Sequence, residues 1–363
     1  MTAKNNFFQV EGLLAPPIRR AAYSDRMAYV LGEMSGLAYF PYEGVDGILS
    51  DAAKLATEII LKEKGKDLEE FLSSFADKLY SNKDSNLQAF KAILDEAGFS
   101  HIQVFDKSTT QGFLCRRNVP DEPAYLVLAF RGTEQKIDDW LTDAQAIPTQ
   151  KDGYRVHSGF YKAFNLVADD IKLALNDKAC FDERGKKLPL YITGHSLGGA
   201  LALLATKYIS HDEGGSCYTF GAPRVGDYEF FFDIKAPVYR VVNSSDIVPR
   251  VPLGAANQLL IGLVKGLGWL LGFSPQIKSL FAWAERQLDK LNGYRHHGDL
   301  RYLTDVQGGR FEKVRLVCNP PALDRVQWFW EHLKASFLKP LKSHSCLLYR
   351  LKLVEVANYR NKS

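Results

Sequence analysis

The chain has 363 residues, 46% of them hydrophobic and 24% charged, a balance that fits a soluble globular protein long enough to bury a large core. A formal net charge of +4, with no run of arginine and lysine interleaved with aromatics, argues against a dedicated nucleic-acid surface and leaves only a mild attraction to anionic lipid. The five cysteines are scattered without a C-x-x-C pair and indicate neither a zinc site nor a disulfide framework, and residues 1–21 lack the features of a secretory signal, so a cytoplasmic location is expected; export without an N-terminal signal, or a removed leader, would leave the same residues.

Tyr23 to Tyr39 carries apolar residues at helical spacing and ends at Phe40-Pro41. From Asp51 to Ala97 come three helical runs: Ala53 to Lys64, one with Leu68, Leu72, Phe75 and Leu79 on one face, and Ser85 to Ala97. Nothing in that stretch suggests chemistry, and it reads as a helical insertion (51–97). Short β-type runs follow at His101 to Phe105, Gly112 to Arg116 and Tyr125 to Phe130. The last is apolar throughout, as a strand covered on both faces should be, and it runs into Arg131-Gly132-Thr133. Val156 to Phe160 then leads a helix to about Leu175.

Leu190 to Thr193 is an apolar strand that enters Gly194-His195-Ser196-Leu197-Gly198 and then an Ala- and Leu-rich helix, Ala200 to Ile209. On its own G-x-S-x-G also fits a surface turn. The strand before and the helix after give it the form of a nucleophile elbow, with glycines where a Cβ would collide with neighbouring backbone. Cys217 to Phe220 and Pro237 to Val242 are further strands, each ending in a polar loop. Strands alternating with helices predict an α/β chain of one domain (1–363), built on a mainly parallel sheet with helices on both faces, with ligands gathered at the carboxyl ends of its strands. Val251 to Leu291 breaks the pattern: Leu259 to Phe273 is nearly all apolar but is interrupted by four glycines and Lys265, and is short for a membrane span. It reads either as a buried pair of helices or as an apolar cap that lines a pocket or meets lipid (251–291).

A serine hydroxyl becomes a nucleophile when a histidine takes its proton and a carboxylate fixes that histidine's tautomer. In doubly wound hydrolases the chain order is serine, acid, histidine. Asp246, after the Pro237–Val242 strand, is the best-placed acid, and Asp227 is the alternative. His332 sits within a helical pattern, whereas His296, His297 and His344 all fall in loops, so the residues alone leave the base open.

Phe130-Arg-Gly-Thr133, Trp140, Val156-His-Ser-Gly-Phe160, Gly194-His-Ser-Leu-Gly-Gly199, Thr219-Phe-Gly-Ala-Pro-Arg-Val-Gly226 and Ser245-Asp-Ile-Val-Pro-Arg250 together resemble the class 3, fungal-type lipases of the α/β-hydrolase superfamily. The resemblance runs from about Ala124 to Asp299. It implies an α/β-hydrolase fold with Ser196 as nucleophile, Asp246 as acid and, ahead of an aromatic near the C-terminus, His344 rather than His296 as base. It also implies an oxyanion hole from Thr133 and the Leu197 amide, and a lid over Glu134 to Asp143 carrying Glu134, Ile137, Trp140 and Leu141. The implied substrate is a lipid ester met at a lipid–water interface, with no metal or organic cofactor, no nucleic acid and no stable protein partner. Phospholipase A1, a short-chain or feruloyl-type esterase, and a silent lipase-like binding module are the competing expectations.

Overall fold

The computed structural model describes residues 7–18, 22–40, 85–132, 148–151, 153–210, 214–250, 293–306, 310–321, 324–325, 328 and 343–361. Thr133, the lid positions Glu134, Ile137, Trp140 and Leu141, most of the 51–97 insertion, the 251–291 insertion and His332 lie outside these residues. Of the 51–97 stretch, the helix expected from Ser85 is present as α2 (85–96).

An eight-stranded sheet runs in the order β1-β2-β3-β6-β7-β8-β9-β10. β1 (Phe99–Lys107), β2 (Thr110–Arg117) and β3 (Tyr125–Phe130) form an antiparallel flank. β3 then pairs in parallel with β6 (Leu190–His195), which continues in parallel through β7 (Gly215–Phe220), β8 (Val238–Asn243) and β9 (Asp299–Leu303). β10 (Leu316–Cys318) closes the far edge antiparallel to β9. A separate hairpin joins β4 (Pro148–Lys151) to β5 (Tyr154–His157). β3, β6 and β7 are buried at every position, the price in sequence being a near-continuous apolar run with helices on both sides.

The two sides are distinct. α1 (Asp25–Leu37) and α5 (Cys346–Arg360) cover one face, where Tyr29, Met34, Tyr349, Leu353 and Phe220 share a core. α3 (Ser158–Ala174) and α4 (Leu197–Ile209) cover the other, packed on Leu128, Phe130, Ile192 and Cys217. α1 begins where the Ser24 hydroxyl accepts from the Met27 amide, and it is buried on nearly every side from Met27 to Leu37. That burial is the reason its apolar pattern spans more than one face. A sheet with a parallel centre, helices on both faces and a strand–turn–helix element in its middle fits the α/β-hydrolase fold expected from the sequence.

Sequence reading places most of these elements within two or three residues. It misses β9, β10 and the β4–β5 hairpin. α5, the helix after His344, carries Arg350 and Lys352 on its buried side, each with acidic or carbonyl partners.

Candidate active site

β6 ends at His195 and α4 starts at Leu197, which leaves a single residue to turn the chain. Ser196 makes the turn at φ 59° and ψ −127°, a positive φ that an L residue seldom adopts. Its amide donates to the Phe220 carbonyl at 2.9 Å, and its own carbonyl accepts from the Gly199 amide at 3.0 Å. The flanking glycines are sterically required. A Cβ on Gly194 would overlap the Gly198 backbone, and one on Gly198 would overlap the Phe130 carbonyl of β3.

The turn aims Ser196 at His344, whose Nε2 lies 2.8 Å from the serine Oγ. On the other side of the ring, His344 Nδ1 stands 2.8 Å and 3.0 Å from the two carboxylate oxygens of Asp246. All three residues are buried, with Asp246 at 0% exposure. Asp246 sits just past the C-terminal end of β8 and is itself fixed. The Val248 amide donates to Oδ1 at 2.9 Å, and the Tyr349 hydroxyl donates to Oδ2 at 2.6 Å. The same hydroxyl accepts from the Asn243 amide at 2.9 Å. Burial, and then the Asp246 charge, push the Tyr349 hydroxyl well above its ordinary range, so it stays protonated and remains a donor. Asp246 thus accepts from a backbone amide, a phenol and the imidazole, which satisfies a buried carboxylate that would otherwise be very costly.

The Leu197 amide opens α4 at the positive end of the helix, while the Gly199 and Ala200 amides that follow donate to the Ser196 carbonyl. Gly132, the last described residue before Thr133, passes beside the elbow: a Cβ there would lie 2.6 Å from the His195 carbonyl oxygen.

The competing candidates are held elsewhere. Asp227 accepts from the Arg155 amide at 3.0 Å and the Phe230 amide at 2.8 Å, which ties the β7–β8 connection to β5. His296 donates from Nε2 to the Pro249 carbonyl at 2.6 Å. Burial, followed by the nearby Arg240 and Arg224 charges, pushes it well below its ordinary range. His297 stacks on Phe231. Sequence reasoning did not single out Asn243, Tyr39 or His195, which make side-chain contacts around His344. Among the described residues no group of His, Cys, Asp or Glu is placed to hold a metal ion.

Residues 127–255 match the family model described as Lipase (class 3). The chain is 34% identical over 171 residues to a lipase of Rhizomucor miehei, covering 43% of this chain and 44% of that one. It is 35% identical over 135 residues to secreted mono- and diacylglycerol lipase 1 of Fusarium solani, covering 35% and 39%. It is also 28% identical over 240 residues to the chloroplastic phospholipase A1-Igamma1 of Arabidopsis thaliana, covering 55% and 42%. The chain therefore spans about two-fifths of the length of these curated relatives. Among solved structures, a native Rhizomucor miehei lipase propeptide complex aligns over 58% of each chain at 22% identity and a TM-score of 0.41.

Proposed function

From the match of residues 127–255 to the class 3 lipase family we propose that this chain is a serine carboxylester hydrolase that cleaves acylglycerols through an acyl-enzyme. The observation that carries the reading is the continuous chain from Ser196 Oγ through the His344 ring to Asp246, assembled at a strained elbow.

Ser196 Oγ attacks the ester carbonyl carbon as its proton passes to His344 Nε2. Asp246 supports the imidazolium through Nδ1. The oxygen that becomes negative is met by the Leu197 amide, and Thr133 is the position the family resemblance gives the second donor. His344 returns the proton to the departing alkoxide. The same histidine then takes a proton from water, whose oxygen attacks the acyl carbon, and returns it to Ser196 Oγ as the acyl–oxygen bond breaks and the carboxylic acid leaves.

The substrate class is part of the proposal. Initial rates on a short-chain glyceride, followed through its solubility limit with Ser196→Ala as the blank, test it together with labelling by a fluorophosphonate. Labelling of Ser196, with a rate that jumps as the emulsion forms, is expected. An Ser196→Ala rate above about one-hundredth of wild type would sink the assignment, because losing a triad member typically costs far more, roughly 10⁴–10⁶ in kcat. A second reading, phospholipase A1 action, draws on the longer 240-residue alignment with the Arabidopsis enzyme of that name. Faster acid release from phosphatidylcholine than from an acylglycerol of the same chain length would favour it.

A further inference from the structure

The triad chemistry does not use the residue immediately before the nucleophile, yet His195 is only 4% exposed and both of its ring nitrogens are engaged. Its ring lies on the α1 and α5 side of the sheet, with its centroid 4.6 Å from that of His344 and 5.6 Å from that of Tyr349. Nε2 is 2.7 Å from the main-chain carbonyl oxygen of His344. A carbonyl only accepts, so Nε2 must carry the hydrogen. In a neutral ring Nδ1 is then bare, and it accepts from the Tyr39 hydroxyl at 3.0 Å. Burial, and then the neighbouring His344, hold the ring well below its ordinary pKa, so it is neutral at working pH.

The preceding carbonyl is held in the same way. Asn243 Nδ2 donates to the Ser343 carbonyl at 2.9 Å, and the Asn243 side-chain oxygen is taken by the buried Lys352 ammonium. Two successive carbonyls of the loop that carries His344 are thus gripped by side chains from two different strands. His195 reaches from β6, the nucleophile strand, and Asn243 from β8, the strand that leads to Asp246. Each gripping side chain is itself oriented by one further polar group.

We propose that His195, held as the Nε2–H tautomer by the His344 carbonyl and oriented through Nδ1 by Tyr39, is a positioning residue for acyl transfer: it registers the His344 backbone to the nucleophile strand, so that the imidazole meets Ser196 and Asp246 at once. This rests on the catalytic reading given under Proposed function. Buried packing alone would require only a ring of the right size. Registration requires a donor at one particular atom position, and a displacement of about 1 Å between catalytic groups can cost on the order of a hundredfold in rate.

Two amide replacements separate the roles. In Gln the terminal amide reaches the position of the histidine Nε2 and can still donate to the His344 carbonyl. In Asn the amide ends where Nδ1 lies, so it can face Tyr39 but cannot reach that carbonyl. For His195→Gln the expected loss in kcat is about threefold. For His195→Asn it is about thirty- to a hundredfold, with KM within about twofold of wild type and thermal midpoints of the two variants alike. Tyr39→Phe, which removes the hydroxyl that orients the ring through Nδ1, is expected to lower kcat about three- to tenfold in the wild-type background and to add nothing on top of His195→Gln.

Wild-type kcat in His195→Asn, or equal losses in the Gln and Asn variants that follow their thermal midpoints, overturns the proposal. Should His195→Asn fail to fold, Tyr39→Phe decides: an unchanged kcat overturns the proposal, and a loss that vanishes in the His195→Gln background supports it. A wild-type protein that neither labels with a fluorophosphonate nor turns over an ester overturns the catalytic reading itself, and this inference with it.

Discussion

Asp246 illustrates how much a single buried side chain needs around it. It has no exposure to water, and two donors besides the imidazole satisfy its carboxylate oxygens. The Tyr349 hydroxyl is the more informative of these, because it contacts the same carboxylate oxygen that lies nearer to His344. Removing it with Tyr349→Phe keeps the ring that packs beside Phe220 and His195 but takes away a hydrogen bond to a charged group, of a kind worth about 1.5–3 kcal/mol. Part of that support is exercised when the imidazolium forms, so kcat is expected to fall roughly tenfold while KM stays put. Steady-state kinetics on a soluble ester check this. A variant with an undiminished kcat would show that the Val248 amide suffices to orient Asp246.

At the level of elements, β6, the elbow and α4 work as one unit because backbone approaches backbone there. The clash that a Cβ on Gly198 would make is with the Phe130 main chain, and β3 can move only if the sheet moves with it. Gly198→Ala is therefore expected to cost about 3 kcal/mol, at the upper end for overpacking, and to abolish turnover even where some protein stays folded. Urea unfolding alongside fluorophosphonate labelling reads both effects; a stable, labelled Gly198→Ala protein would contradict the geometry.

The second unit is the pairing of α1 with α5. Glu33 and Arg350, 3% and 6% exposed, meet through two hydrogen bonds of 3.1 Å and 2.8 Å, with Phe7 stacked on the guanidinium and the Phe8 amide donating to Glu33. Arg350 is the neighbour of Tyr349 on the helix that follows His344, so this ion pair fixes the element that supports the acid. Glu33→Ala leaves a buried guanidinium without its carboxylate and is expected to destabilise the fold by about 3–5 kcal/mol. A change in the urea midpoint worth less than about 1 kcal/mol would mean that the pair is solvated or replaced.

Across the molecule, several buried or half-buried histidines are held in the neutral form. Burial lowers His101 to about 4 and brings His195 and His296 well below the ordinary histidine value. Between that lowered value and about 6.5 the unfolded chain binds protons that the folded one does not, so stability decreases as pH falls through this window and is fully present above it. Asp25, raised by burial, works in the opposite sense, but it is one carboxyl against four imidazoles, His297 included. The urea midpoint is expected to be flat from pH 8 to 7 and to drop steadily from about pH 6.5 to 5. A midpoint that is constant over the lower range would mean that these rings are hydrated or already charged in the fold. The loss is separate from any effect on Ser196 and appears in unfolding curves without substrate.

The sequence by itself determined what is written in short stretches of chain. β3 and β6 are legible because a strand covered on both faces must be apolar at consecutive positions, and the elbow is legible because its sterics involve residues within two positions of Ser196. Local signals were weak where elements are short or alternate only briefly, and so three-residue β10, the β4–β5 hairpin and β9, with its mixed burial, went unread. The choice among partners was a matter for the tertiary structure. His296 and His344 both sit in polar loops with similar composition, and Asp227 and Asp246 both follow strands. What separates them is that β8 pairs next to β7 and that α5 docks on α1, which brings His344 to Ser196 across 148 positions of sequence and points His296 at the Pro249 carbonyl. The grips of His195 and Asn243 on the His344 loop are side-chain to main-chain contacts over separations of 149 and 100 residues. No periodicity records such contacts, because they depend on where a carbonyl comes to lie after the sheet has formed and the last helix has packed.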